Sequence, residues 1–139
     1  MSAEANKELV RRWVEAWNTE TNFDVVEEIF AADWHDRNPL PGGVQGIEGA
    51  MQFVRVFRSS FSEIHLTIDL LMSEGDLVMF RWIADATHTG EFHGVPASGK
   101  RVSFSGITVH RVANGRFVES VAEIDMLGLL QQIQSGIKG

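Results

Sequence analysis

Apolar residues recur every three or four positions from Ala3 to Asn18, through Leu9, Val10, Trp13, Val14 and Trp17. That is the period of an amphipathic helix with one buried stripe. Asn18 and the TETNFD stretch (19–24) break it, and Phe23 to Phe30 gives a second, shorter helix that buries Val25, Val26, Ile29 and Phe30. Asp33 to Gly46 holds two prolines and three glycines, so it reads as a loop with at most a short extended piece at Trp34 to Asn38. Helical spacing resumes from Ile47 to Phe61, through Ala50, Met51, Phe53, Val54 and Phe57.

Beyond Ser62 the period becomes that of strands: His65 to Met72, Leu77 to Thr89, Val102 to Val112 and Phe117 to Ile124, with a short apolar helix from Met126 to Ile133. Three helices followed by an antiparallel meander predict an α+β fold, with the helices gathered on one face of a curved sheet. The whole chain, 1–139, is expected to be one domain.

Asn114-Gly115 predicts a two-residue type I′ hairpin turn. With Ala113 and Arg116 flanking it, Arg111 faces Val118, Val109 faces Ser120 and Phe104 faces Asp125. One face then carries Ile107, Val109, Val118, Ala122 and Ile124. The other carries Phe104, Gly106, Thr108, His110, Glu119, Val121, Glu123 and Asp125, a mixture suited to a cavity wall. Pairing Glu91 with Arg101 sets His88 opposite Phe104, which brings His88 and Asp125 onto one face roughly 10 Å apart across two interstrand spacings. A one-residue slip would destroy this arrangement.

Composition narrows the classes. Net charge is -7 and the few Lys and Arg are scattered, which argues against nucleic acid and anionic membrane as partners. No cysteine is present, and His35, His65, His93 and His110 have no metal-ligand spacing, so neither a thiolate nor a metal site is expected. The amino terminus lacks the apolar core of a signal peptide and no run has the length of a membrane span, so a cytoplasmic protein is expected.

Five stretches, WVEAWN (13–18), DWHDRNPLPG (33–42), EGDLVMFRW (74–82), THTGEFHGVPASGK (87–100) and VESVAEIDMLGLLQQI (118–133), together resemble the SnoaL-like polyketide cyclases of the NTF2-like superfamily. The resemblance covers nearly the whole chain. It implies a cone of helices on a strongly curved sheet around an apolar cavity, usually a homodimer through the outer sheet face. It also implies cofactor-free ring closure of an aromatic polyketide by intramolecular aldol condensation, with the Asp matching Asp125 as general acid and base. Two positions depart from the family pattern: Arg37 stands where His is common, and Val121 where Trp is usual.

One carboxylate can remove a proton beside a carbonyl and later protonate the new alkoxide if its pKa lies near working pH. Burial among Phe80, Trp82, Phe104 and Val121 is expected to raise the pKa of Asp125. The competing reading is that Asp125 caps the helix that follows it. His88 is a candidate donor to the developing enolate, or else a structural histidine bonded to the next loop. Trp34 is a candidate shelf for an aromatic ligand and Phe53 a further wall. Arg37 and Asn38 are candidates to orient a carbonyl or carboxylate, and Glu123 is a second carboxylate on the wall. His110 and Glu119 read as a surface cross-strand pair. The expected partner is a small hydrophobic or aromatic ligand with no cofactor. A ligand carrier without chemistry is the rival reading; epoxide hydrolysis ranks below it, because the matching strand offers Ser103, Ser105 and His110 in place of an Asp-Arg pair.

Overall fold

In the computed structural model, which describes residues 2–19 and 23–134, helices and strands follow the predicted order with one addition. They are α1 (Ala3–Thr19), α2 (Val25–Ile29), β1 (Phe30–Asp36), α3 (Ile47–Ser60), β2 (Phe61–Glu74), β3 (Leu77–His88), β4 (Arg101–Ala113), β5 (Arg116–Ile124) and α4 (Met126–Gln134). The expected break at TETNFD falls partly on residues 20–22, outside the described residues. The addition is β1. It joins the sheet edge parallel to β5, so the sheet is five-stranded and mixed, in the order β1-β5-β4-β3-β2, where a four-stranded meander was expected. Its sequence FAADWHD buries only Phe30 and Trp34 fully and lacks the continuous apolar run of a central parallel strand, which is why it read as loop.

Inner-face residues of β3 and β4 alternate as expected: Val78, Phe80, Trp82, Ala84 and Ala86 on one strand, and Val102, Phe104, Thr108, His110 and Val112 on the next, are all buried. The turn at Asn114 and Gly115 has positive φ at both residues, 53° and 76°, as a type I′ hairpin requires.

Two registers differ from expectation. In the β4-β5 hairpin, Ala113 pairs with Arg116 and Val112 with Phe117, but a bulge at Val118 then shifts the pairing by one, so that Arg111 faces Glu119 and Gly106 faces Ile124. A bulge places two residues opposite one and exchanges the faces beyond it. Ser120, Ala122 and Ile124 therefore join the inner face, and Glu119, Val121 and Glu123 go to the outer one. Between β3 and β4, Thr87 pairs with Arg101 and Ala84 with Phe104. The slide relative to expectation is an even number of residues, so the faces are kept while the partners change.

Four side-chain carboxamides continue the sheet where backbone partners run out. Asn18 brackets Leu66 of β2, its Oδ1 accepting the Leu66 N–H at 2.6 Å and its amide donating to the carbonyl at 2.9 Å. Gln45 does the same for Asp36, Asn38 for Ala122 and Gln132 for Ser103. Each bracket satisfies one N–H and one C=O of a strand, groups that cost about 1–3 kcal/mol when left buried and unpaired.

Aromatic rings fill the space between helices and sheet. Trp13 meets Trp17, Phe23 and Phe30 edge-on with centroids 5.0–6.0 Å apart, and Phe57, Phe61 and Phe92 form a second group at 5.1–6.2 Å.

Candidate active site

An apolar cavity opens between these two groups of rings. Phe80 and Trp82 of β3, Phe104 and Thr108 of β4, and Ala122 and Ile124 of β5 form its sheet side. Trp13 and Trp17 of α1 and Phe53 and Phe57 of α3 form much of the opposite side. The space in it that admits the centre of a water-sized sphere is about 70 Å³, so it is a narrow cleft between rings, and the empty space counted out through the open mouth is about 590 Å³. Phe53, Leu66, Ala122 and Ile124 are only half-buried, and two of these adjoin polar residues: Asn38 holds Ala122, and Asp125 follows Ile124.

No titratable side chain lines this cavity among the described residues. The polar groups on its wall residues are the Thr108 hydroxyl and the indole N–H groups of Trp13, Trp17 and Trp82; of these, Trp82 Nε1 donates to Thr108 Oγ1 at 3.0 Å.

Asp125 stands just past the end of the wall. Its backbone N–H donates to Ser105 at 2.9 Å, and its Oδ1 accepts the Gly128 N–H, also at 2.9 Å. The side chain is exposed, so the burial expected among aromatic walls is not found, and the helix-capping reading describes its hydrogen bond. Oδ2 has no hydrogen-bond partner among the described residues.

His88 is fully buried at the far end of β3, beside Phe61 with centroids 5.4 Å apart, and it does not line the cavity. Its Nδ1 accepts the Ser98 N–H at 3.1 Å and lies 2.9 Å from Ser98 Oγ, so it holds the 89–100 loop. Burial pushes the imidazole below the ordinary histidine value. Because His88 N–H bonds Lys100 O while Asp125 N–H bonds Ser105 O, the two residues are offset by five positions of β4, roughly 16 Å along the strand. The expected juxtaposition across Phe104 is therefore absent. The cause is the long 89–100 loop, which left the β3-β4 register open to that slide.

The other candidates divide. Phe53, Phe80, Trp82 and Phe104 line the cavity as expected. Trp34 is buried in β1, donating its Nε1 proton to Ser120 Oγ at 2.8 Å, and offers no shelf at the mouth. Val121 and Glu123 lie on the outer face because of the Val118 bulge. Asn38 uses its amide on the Ala122 backbone and on Glu123. Arg37 is exposed, and its backbone N–H bonds Ser120 O at 2.9 Å. Beside them, partial burial raises the Asp36 carboxyl, with the Asn38 N–H pulling the other way.

His110 is not the surface partner of Glu119. It is buried, stacked on Phe117 at 3.8 Å, with Nδ1 2.5 Å from Ser120 Oγ. Trp34 donates to Ser120, so the Ser120 hydroxyl is free to donate to Nδ1, which puts the imidazole proton on Nε2. Burial drives the His110 pKa down to about 3.

Ala122, Ile124 and Thr108 are among the wall residues that sequence reasoning did not single out as site residues, as are Trp13, Trp17 and Phe57, whose helical spacing reads as core. For the first two the missing signal was the bulge. Thr108 was placed on the correct face, and its contact with Trp82 depends on the β3-β4 register. No three His, Cys, Asp or Glu side chains come together as a metal site among the described residues, and none of the described helices is long and apolar enough to cross a membrane.

The model of the SnoaL-like polyketide cyclase family matches residues 7–133. The chain belongs to that family. Among its relatives is the aklanonic acid methyl ester cyclase DnrD of Streptomyces peucetius, 29% identical over 130 residues, which are 91% of this chain and 88% of that protein. TsrD from Streptomyces laurentii superposes with a TM-score of 0.87 at 28% identity, covering 96% of this chain and 97% of its own. IdmH from Streptomyces antibioticus does so at 0.79 and 26%, covering 91% and 96%. The α+β cone of SnoaL-like proteins is thus the fold of this chain.

Proposed function

We propose that the protein closes a ring in an aromatic polyketide-type small molecule by proton transfer without a cofactor, with Asp125 as the acid and base. The carrying observation is the placement of this carboxylate. A cavity without titratable walls among the described residues runs to Ile124, and the next residue in the chain is an acid with one oxygen held by Gly128 and the other without a hydrogen-bond partner among those residues. A flat ligand seated among Trp82, Phe104 and Phe57 projects its reacting edge toward that end.

The carboxylate takes a proton from a carbon flanked by carbonyls. The enolate carbon then attacks a ketone of the same molecule, forming a carbon–carbon bond, and the ketone oxygen, now an alkoxide, recovers the proton from Asp125. The product is an isomer of the substrate. Since the Asp125 side chain is exposed, the water-poor setting that favours the transfer comes with the ligand, which covers the carboxylate as it binds. His88 is assigned to holding the loop and takes no part.

This reading is supported by the names of the relatives, and aklanonic acid methyl ester is the natural test substrate. Conversion to a product of equal mass and different retention is expected. Asp125→Asn should lower the rate by roughly 10²–10⁴-fold, the usual weight of a general acid–base group, with ligand binding kept. An Asn variant at the full rate would exclude Asp125 as the base.

The absence of titratable walls also favours a second reading, a carrier that binds such a molecule and leaves it unchanged. Tight binding by the wild type with no conversion would select it. Two Asp-Arg pairs, Arg81 with Asp69 and Arg111 with Asp76, involve outer-face arginines, and no Asp or Arg among the described residues lines the cavity, so its lining does not favour water addition to an epoxide. In either reading the outer face, where Met72, Met79, Val109 and Val121 lie side by side across four strands, is assigned to pairing with a second copy.

A further inference from the structure

Trp82 lies across β4 in a slot made by three successive inner-face residues. Gly106 pairs with it directly, and a Cβ at position 106 would fall 2.3 Å from Cζ2, 2.7 Å from Cε2 and 2.8 Å from Cη2 of the indole. The ring therefore occupies the space that any side chain there would need. Phe104 meets one edge, with centroids 5.9 Å apart and planes at 84°. Thr108 holds the other edge through Nε1–H to Oγ1 at 3.0 Å. All of these positions except Gly106, which lies under the ring, face the cavity.

The hydrogen bond fixes more than the ring. By accepting from Trp82, Thr108 Oγ1 commits one lone pair, while its own proton meets no acceptor among the described residues. A hydroxyl has one proton to give and two lone pairs. The cavity thus holds a rigid aromatic surface with one O–H donor beside it on the sheet side, facing the indoles of Trp13 and Trp17 across the space.

We propose that this Trp82-Gly106-Thr108 unit determines specificity: Trp82 is the shelf for a planar polycyclic ring system and the Thr108 hydroxyl donates to a ring carbonyl, selecting carbonyl-bearing polycycles over hydrocarbons of the same shape. The inference rests on the cavity being a ligand site, as proposed above, and names the ligand class it takes. It assigns no chemistry to Thr108, which is a binding and positioning residue. A carbonyl fixed there sets which edge of the ligand is presented at the open end.

The test uses the full chain and two probes of like shape, 9-fluorenone and fluorene, which differ by one carbonyl. Wild type is expected to bind the ketone more tightly, and Thr108→Val to lose roughly three- to ten-fold for 9-fluorenone, the weight of one neutral hydrogen bond. Fluorene, which has no carbonyl, reports how far the shelf itself shifts when the Trp82 N–H loses its acceptor, so the loss for 9-fluorenone is expected to exceed that for fluorene. Thr108→Ser should keep the preference, and Gly106→Ala should weaken both probes by displacing the indole. Independently of any variant, the carbonyl stretch of 9-fluorenone bound to wild type should fall below its value in dry hydrocarbon. An unshifted stretch, equal losses for both probes in Thr108→Val, or failure of wild type to bind either probe would overturn the proposal. Since every readout is equilibrium binding, failure of ring closure in the Asp125 experiment leaves this result standing, and the converse also holds.

Discussion

Gln132 of α4 brackets Ser103 of β4, its Oε1 accepting the Ser103 N–H at 2.9 Å and its Nε2 donating to the Ser103 carbonyl at 2.7 Å. The last strand ends two residues short of this point, since Asp125 N–H to Ser105 O is its final rung. A helix side chain therefore does the work of the next strand residue and ties α4, with Asp125 at its head, to the sheet. Both bonds are exposed, so Gln132→Ala is expected to cost about 0.5–1.5 kcal/mol, the net worth of an ordinary hydrogen bond, and urea denaturation will read it. Hydrogen exchange at Ser103 should rise in the same variant.

Asp125 and Gly128 separate stability from chemistry. Asn caps a helix about as well as Asp, so Asp125→Asn should leave the midpoint of unfolding nearly unchanged, while Asp125→Ala should cost about 1 kcal/mol. Activity lost in Asn without loss of stability is the outcome that the proton-transfer reading requires.

Gly128→Ala probes the same carboxylate from the other side. An added Cβ would stand 2.3 Å from Asp125 Oδ2 and 2.9 Å from Cγ, so the side chain must rotate away. Ala is favoured over Gly in a helix by about 1 kcal/mol, which roughly offsets the lost cap. Near-native stability with a rate lowered at least about tenfold is expected, measured by melting and by turnover. An unaltered rate would mean that the position of the carboxylate does not matter.

How much was legible can be traced through these residues. Period alone located α1, α3, all four antiparallel strands and α4, because each buries one face and repeats its apolar residues accordingly. Asn114-Gly115 set the hairpin correctly for its first two pairs. The bulge at Val118 was invisible, since FVESVAEI satisfies either face assignment, and with it the roles of Val121 and Ile124 were exchanged. The β3-β4 register was hidden for a different reason: a loop of a dozen residues imposes no register, and alternating residues fit any even slide equally well. Trp34 read as loop because the neighbour it packs against, Ser120, is far along the chain and became inward-facing only through the same bulge.

Low pH should destabilise the protein through His110. An unfolded histidine takes up a proton as pH falls through about 6.5, whereas burial delays this in the folded chain until about 3. The unfolded state binds more protons throughout that window, so stability is fully present above it and declines within it, by about 1.4 kcal/mol per pH unit for one such group. His88, shifted in the same direction by burial, adds to the slope. Asp36, with its pKa raised, acts in the opposite sense but only within the carboxylate range. Between pH 7.5 and 5.5 a loss of about 1.4 kcal/mol from His110 is expected in urea titrations. His110→Phe, which can keep the stacking on Phe117, should remove that share, and an unchanged slope in the variant would contradict the assignment.

The outer sheet face makes the last prediction. Leu70 and Met72 are 51% and 56% exposed and Ile107 is 43% exposed, next to the row Met72, Met79, Val109 and Val121. Of the residues expected to form a dimer seam, Ile107 and Val109 do face outward, but Ile124 lines the cavity instead. Val121, moved off the cavity wall by the bulge, joins that outer row beside Val109. Light scattering should give twice 15.5 kDa at micromolar concentration. Val109→Asp places a charge in the middle of the row, where burying it against a second copy without a partner costs several kcal/mol, so the variant should be monomeric. The inner face is untouched by that change, so the monomer should keep its melting behaviour at low concentration. A wild-type monomer at every concentration would exclude the pairing.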